Sequence, residues 1–148
     1  MSASAARARP TAACSRSPRR RGRPAVPIFV LDTERDGRPV RLGPGVEATV
    51  VVDGAAGAKH GVMVRLRLEE GQGYVSTVPE GAEDTWYVIE GRGEVVDLAT
   101  GRRQAVEPRC VIAIDPGSRV AIRAGGGPML LVGGPTPPGT PLGVAEKT

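Results

Sequence analysis

Asp84 carries the chain's strongest chemical suggestion. It stands two and four residues before Trp86 and Val88 in a segment of strand-forming residues, so the three share one face of any strand built there. Trp86 and Val88 are best explained by burial, which takes Asp84 inward with them. A carboxyl among apolar neighbours has a raised pKa and suits general acid or base work. Tyr87 and Tyr74 bring phenolic hydroxyls able to orient a substrate, and Tyr87 is taken with Asp84 as a catalytic candidate. Arg119 and Arg123 have the fork geometry that clamps a carboxylate, and Arg123 is the one assigned to substrate. His60, the one histidine, is of a type that can shuttle protons, yet its place at the start of a strand fits a surface residue. Cys110 begins a buried-looking strand with no histidine nearby in sequence, so a nucleophile is not expected there. Each polar residue also has a plain reading: Asp84 as a solvated strand mouth, the tyrosines as packing, the arginines as outer-face cations.

These residues need a scaffold, and the sequence describes one. The chain has 148 residues, enough for one ordinary domain. Its 21 Gly and 14 Pro make up about a quarter of it, with only four aromatic residues, so turns and short strands are expected rather than a helical bundle. Along residues 60–69, Val62, Val64, Leu66 and Leu68 alternate with Met63, Arg65, Arg67 and Glu69, the period of a half-buried strand. Further strands are read at 27–31, 47–53, 74–78, 84–90, 93–98, 104–106, 110–114, 119–124 and 129–132, punctuated by Gly or Pro. Thr100-Gly101 marks a hairpin turn. The expected architecture is all-β: one small barrel over residues 25–135 made of two antiparallel sheets, with a flexible tail at 136–148.

Charge narrows the partners. The net +4 arises from residues 1–24, which hold seven arginines and no acid; the rest has thirteen basic and sixteen acidic residues, a net of −3. A mildly acidic body has no reason to bind nucleic acid. The tail lacks apolar residues to bury and is expected to be disordered, an extension without a role in preference to a transit peptide or nucleic-acid arm. No run approaches the roughly 20 apolar residues that span a membrane, no secretory signal is evident, and both cysteines read as reduced thiols. A cytoplasmic protein is expected, with the run at 27–31 an edge strand placed to pair in a homodimer.

The stretch from Asp84 through Ile89-Glu90-Gly91-Arg92-Gly93-Glu94-Val95-Val96, followed about twenty residues later by Asp115-Pro116-Gly117, resembles the two boxes of the cupin superfamily. Within it, the run from Ile89 to Gly101 looks most like the ectoine synthase family, as do Pro108, Ala113, Arg119, Arg123-Ala124, Met129 and Pro137-Pro138-Gly139 at similar spacings. The resemblance implies a jelly-roll-like cupin barrel and a lyase or cyclase acting on a small polar metabolite. It also implies three metal-ligand positions, Asp84, Ile112 and Val120, of which only the first has a lone pair to offer a metal. The residues thus predict a barrel without metal or other cofactor, its interior lined by Trp86, Tyr74, Ile112 and Val120 as substrate contacts. Three function classes stay open: a metal-independent lyase, cyclase or isomerase; a non-catalytic ligand-binding or regulatory cupin; and a structural protein whose interior is filled by its own side chains.

Overall fold

Alternation of apolar and polar residues becomes burial in the computed structural model, which describes residues 28–147 apart from Gly57. The expected tail over 1–24 lies outside the described residues. Eleven strands run in chain order: β1 (Arg38–Gly43), β2 (Val46–Val52), β3 (Met63–Leu68), β4 (Gly73–Thr77), β5 (Glu83–Glu90), β6 (Gly93–Asp97), β7 (Arg103–Val106), β8 (Val111–Ile114), β9 (Arg119–Ala124), β10 (Met129–Thr136) and β11 (Val144–Ala145). They form a six-stranded sheet, β1-β2-β3-β10-β5-β8, and a five-stranded sheet, β11-β4-β9-β6-β7. Every described pairing is antiparallel. The inward faces enclose one core that includes Leu66, Leu68, Trp86, Val88, Ile122 and Leu131, all fully buried. Among the described residues, no helix is long and apolar enough to cross a membrane.

The Gly-x-Gly of the β5–β6 turn has a steric reason. A Cβ on Gly91, whose φ is +85°, would lie 2.1 Å from the carbonyl oxygen of Pro128, and one on Gly93 would lie 1.9 Å from that of Arg123. Backbone passes over backbone there, and only glycine leaves room.

Two expectations fail at the ends of the barrel. Residues 28–31 form no strand: Ile28 and Val30 are exposed, and the chain turns at once because the Asp32 carboxylate accepts the backbone N–H groups of Glu34 and Arg35. The segment after residue 135 is no loose tail either. β10 continues to Thr136, and β11 pairs with β4. The N–H of Gly143 donates to the Tyr74 hydroxyl at 2.7 Å, and Arg123 Nε meets Glu146 at 2.8 Å. Ala145 packs against Gly43 of β1, so this strap closes the seam between the two sheets. Ending the chain after Thr136 is therefore expected to lower stability by at least about 1–3 kcal/mol, the cost of leaving a buried hydroxyl unpaired. It should also open Trp86 to acrylamide quenching. A denaturant midpoint and quenching constant equal to those of the full chain would restore the reading of a loose tail.

Candidate functional site

The same alternation selects what β5 shows to the interior. Asp84, Trp86 and Val88 point inward and are at most 1% exposed, while Glu83, Thr85, Tyr87 and Ile89 face outward. On one side β8 sets Ile114 opposite Asp84 and Ile112 opposite Trp86. On the other β10 sets Pro135 and Gly133 against the same two residues, and a Cβ on Gly133 would lie 2.0 Å from the Thr85 carbonyl oxygen. From the facing sheet, β4 contributes Tyr74 and Ser76, paired with Ile122 and Val120 of β9.

Four polar side chains thus meet inside an apolar barrel. The Ser76 hydroxyl donates to Asp84 Oδ2 at 2.5 Å. The Tyr74 ring stands edge-on to Trp86, with centroids 5.6 Å apart and planes at 74°. Two buried polar atoms have no hydrogen-bond partner among the described residues: Asp84 Oδ1 and Trp86 Nε1. Burial pushes the Asp84 carboxyl above its ordinary range, opposed by Ser76, by the nearby indole and by the Thr85 backbone N–H. Burial also raises the Tyr74 phenol, and the Asp84 carboxylate raises it further. Tyr74 therefore stays neutral, its oxygen occupied by Gly143.

The chemistry available follows from these contacts. In neutral Asp84, Oδ2 accepts from Ser76 and serves as the carbonyl oxygen, which leaves the acidic proton on Oδ1. Trp86 Nε1 is a second donor close by. One carboxylic acid and one indole N–H are thus buried among Ile112, Ile114 and Val120. That arrangement gives or takes one proton and polarises one acceptor atom.

Several sequence candidates land elsewhere. Tyr87 is exposed on the outer face, opposite Val111 and Val132, because the alternation that turns Asp84 and Trp86 inward turns Tyr87 outward. It has no access to the barrel and is removed from the catalytic set. Arg123 lies on the outer face of the five-stranded sheet and binds Glu146 and Glu94, so it is a structural cation rather than a substrate clamp. Arg119 and His60 are exposed, and Cys110 is half-buried at the core's edge. A surface groove of about 490 Å³ beside Val75, Leu98, Arg119 and Arg123 lies on that same outer face and does not reach Asp84. Ile112 and Val120 do line the interior, though both are apolar. Among the described residues no three His, Cys, Asp or Glu side chains come together to hold a metal ion. The donors beside Asp84 are a serine hydroxyl and an indole N–H, so the ligand set that the resemblance implies does not fit a metal.

Ser76 escaped the sequence reading. Its signal was present: Tyr74, Ser76 and Val78 share one parity, so a strand that buries Tyr74 also buries Ser76.

No protein-family model matches the chain, and no curated protein does. Solved structures do. The polyketide cyclase RemF from Streptomyces resistomycificus superposes with a TM-score of 0.63 at 21% identity, covering 82% of this chain and 87% of that one. Ectoine synthase from P. lautus gives 0.61 at 18%, covering 75% and 79%. An uncharacterized conserved protein with a double-stranded β-helix domain from Klebsiella pneumoniae gives 0.60 at 24%, covering 83% and 100%.

Proposed function

On the cupin-type, double-stranded β-helix barrel that this chain adopts, we propose a metal-independent enzyme of the lyase, cyclase or isomerase kind, with Asp84 as its proton donor and acceptor on a small polar metabolite. The observation that carries the reading is the Asp84 carboxyl itself. It is buried and accepts from Ser76 on Oδ2, while Oδ1 and the neighbouring Trp86 indole N–H, close enough to act on the carboxyl, have no well-aligned hydrogen-bond partner among the described residues. Burying such a group costs stability, so a task for it is a better account than packing. Two of the similar folds, RemF and ectoine synthase, are a cyclase and a synthase by name, and fold likeness adds that much by analogy.

The step balances on one group. Asp84 gives its Oδ1 proton to a hydroxyl oxygen of the bound molecule, the carbon–oxygen bond breaks, and water leaves with the bonding electrons. The carboxylate then takes back a proton from the atom whose electrons form the new bond. Ser76 holds Oδ2 throughout, and Tyr74 and Trp86 exclude water. We place the protein in the cytoplasm with a small molecule as its partner, in line with the net −3 of the chain outside residues 1–24.

The closure of the interior favours a second reading, a non-catalytic binding or regulatory cupin: Tyr74, Ser76, Asp84 and Trp86 are all at most 3% exposed. A panel of small hydroxy ketones and hydroxy amides, incubated in deuterated buffer and read by mass spectrometry, separates the two. The enzyme reading expects loss of water or deuterium uptake from at least one compound with the native protein and not with Asp84→Asn. Equal conversion by both proteins removes Asp84 from the chemistry; binding without conversion favours the second reading.

A further inference from the structure

Apolar side chains gather on the outer face of the six-stranded sheet. Met63, Tyr87, Ile89 and Val111, half of the large apolar side chains that the described residues expose, stand there around the half-buried Leu130 and Val132 of β10. Strand register makes them one patch: Val111, Tyr87 and Val132 oppose one another in a row across β8, β5 and β10, and Ile89 adjoins Leu130 in the next row. A contiguous exposed patch of this kind marks a contact surface, where scattered single residues would not.

The two flanks of β10 differ in character. On its β3 side, Leu130 is opposed by Arg67 and Val132 by Arg65. On its β5 side, a register shift sets Ile89 and Glu90 together against Leu130, and Tyr87 stands against Val132. Among the described residues Arg65, Arg67 and Glu90 enter no ion pair, and neither does Glu47, which opposes Arg67 on β2. Two cations thus flank the central apolar strand on one side, and at the same two rungs an acid and an aromatic ring flank it on the other.

We propose that this face is the interface of a homodimer, in which two copies pack sheet on sheet about a two-fold axis running along β10. A two-fold contact requires a surface complementary to itself. This axis supplies one, because it lays Leu130 and Val132 on their own counterparts and exchanges the β3 and β5 sides. Arg67 then meets Glu90 of the second copy, an ion pair, and Arg65 meets the ring of its Tyr87, a cation–π contact. Symmetry makes two of each. It also keeps the strands of the two sheets aligned, a usual arrangement of packed sheets. An axis across the strands would instead set β3 on β3 and arginine on arginine.

Sedimentation velocity of the full-length protein over a concentration series reads the dimer directly. A reversible dimer is expected, with a dissociation constant no weaker than about 100 μM. Arg67→Glu and Glu90→Arg each put like charges face to face at two places and should weaken it about tenfold. The double variant Arg67→Glu/Glu90→Arg should recover most of that loss. Tyr87→Arg, which sets a cation against Arg65, should weaken the dimer likewise, and Tyr87→Phe should keep it. Arg67, Tyr87 and Glu90 are exposed, so the variants are expected to fold as the native chain does, and their thermal midpoints check this. A monomer at every concentration, a dimer indifferent to these variants, or a double variant no tighter than either single one overturns the proposal.

Discussion

Asp84→Asn is expected to lower turnover by about 10²–10⁴-fold, the usual worth of a general acid or base, while making the protein more stable at neutral pH. Both effects come from one proton. Burial raises the folded-state pKa of Asp84 above the ordinary carboxyl value of 3.8. As pH rises past that value, the unfolded chain releases its proton first, and the native state keeps one more proton than the unfolded state. Stability attributable to this group is therefore greatest below about pH 4. It falls as pH rises toward the folded-state pKa, and above that pKa the cost of a buried carboxylate is fully present. Asparagine keeps the size and an oxygen for Ser76 but does not titrate. The gap between variant and native protein should thus open with pH, reaching about 1–3 kcal/mol where the native carboxyl is ionised, the scale of a poorly satisfied buried polar group. Urea midpoints measured from pH 3 to pH 9 read this out. Parallel curves, or a variant that loses stability as pH rises, would place Asp84 in contact with solvent.

Gly91→Ala is expected to cost about 2–6 kcal/mol, a large share of the 5–15 kcal/mol that holds an ordinary domain together. Two penalties add. The new Cβ forces an L-residue to φ +85°, and it meets the Pro128 carbonyl oxygen at 2.1 Å and Met129 Cα at 2.8 Å, backbone atoms that cannot swing away. Gly101→Ala separates them. Gly101 has φ +77° but nothing within 4 Å of an added Cβ, so this variant bears only the backbone strain, about 1–2 kcal/mol. If the two variants melt together, the close approach of the β5–β6 turn to the start of β10 is wrong.

Period-two alternation made β3 and β5 legible from residue types, since in each the buried residues keep one parity. The same argument placed Asp84 and Trp86 inward, and applied strictly to Tyr87 it points outward, where the structure puts it. Elements whose order comes from a neighbour were not legible. β1 is an edge strand, Arg-Pro-Val-Arg-Leu-Gly, exposed or half-buried throughout, and it exists because β2 offers a ladder. β11 is two residues long, and its order derives from β4, Tyr74 and Arg123. The apolar run at 28–31 shows the converse. Residue types that favour a strand do not make one there, and the Asp32 turn follows directly. Within the site, sequence supplied the acid and its apolar neighbours; the hydroxyl of Ser76, which sets where the acid's proton sits, became evident only when β4 was laid against β5.

The decisive group is the Asp84 carboxyl buried inside the barrel, its pKa raised by that burial. Carbon-13 NMR of the aspartate side-chain carboxyls, with the Asp84 signal assigned by its absence in Asp84→Asn, measures its protonation directly across pH 3 to 9. The account predicts a single Asp84 transition displaced above 3.8 and coupled to movement of the Trp86 indole resonance. A transition at or below 3.8 with a silent indole contradicts it and returns Asp84 to the solvated mouth of a strand.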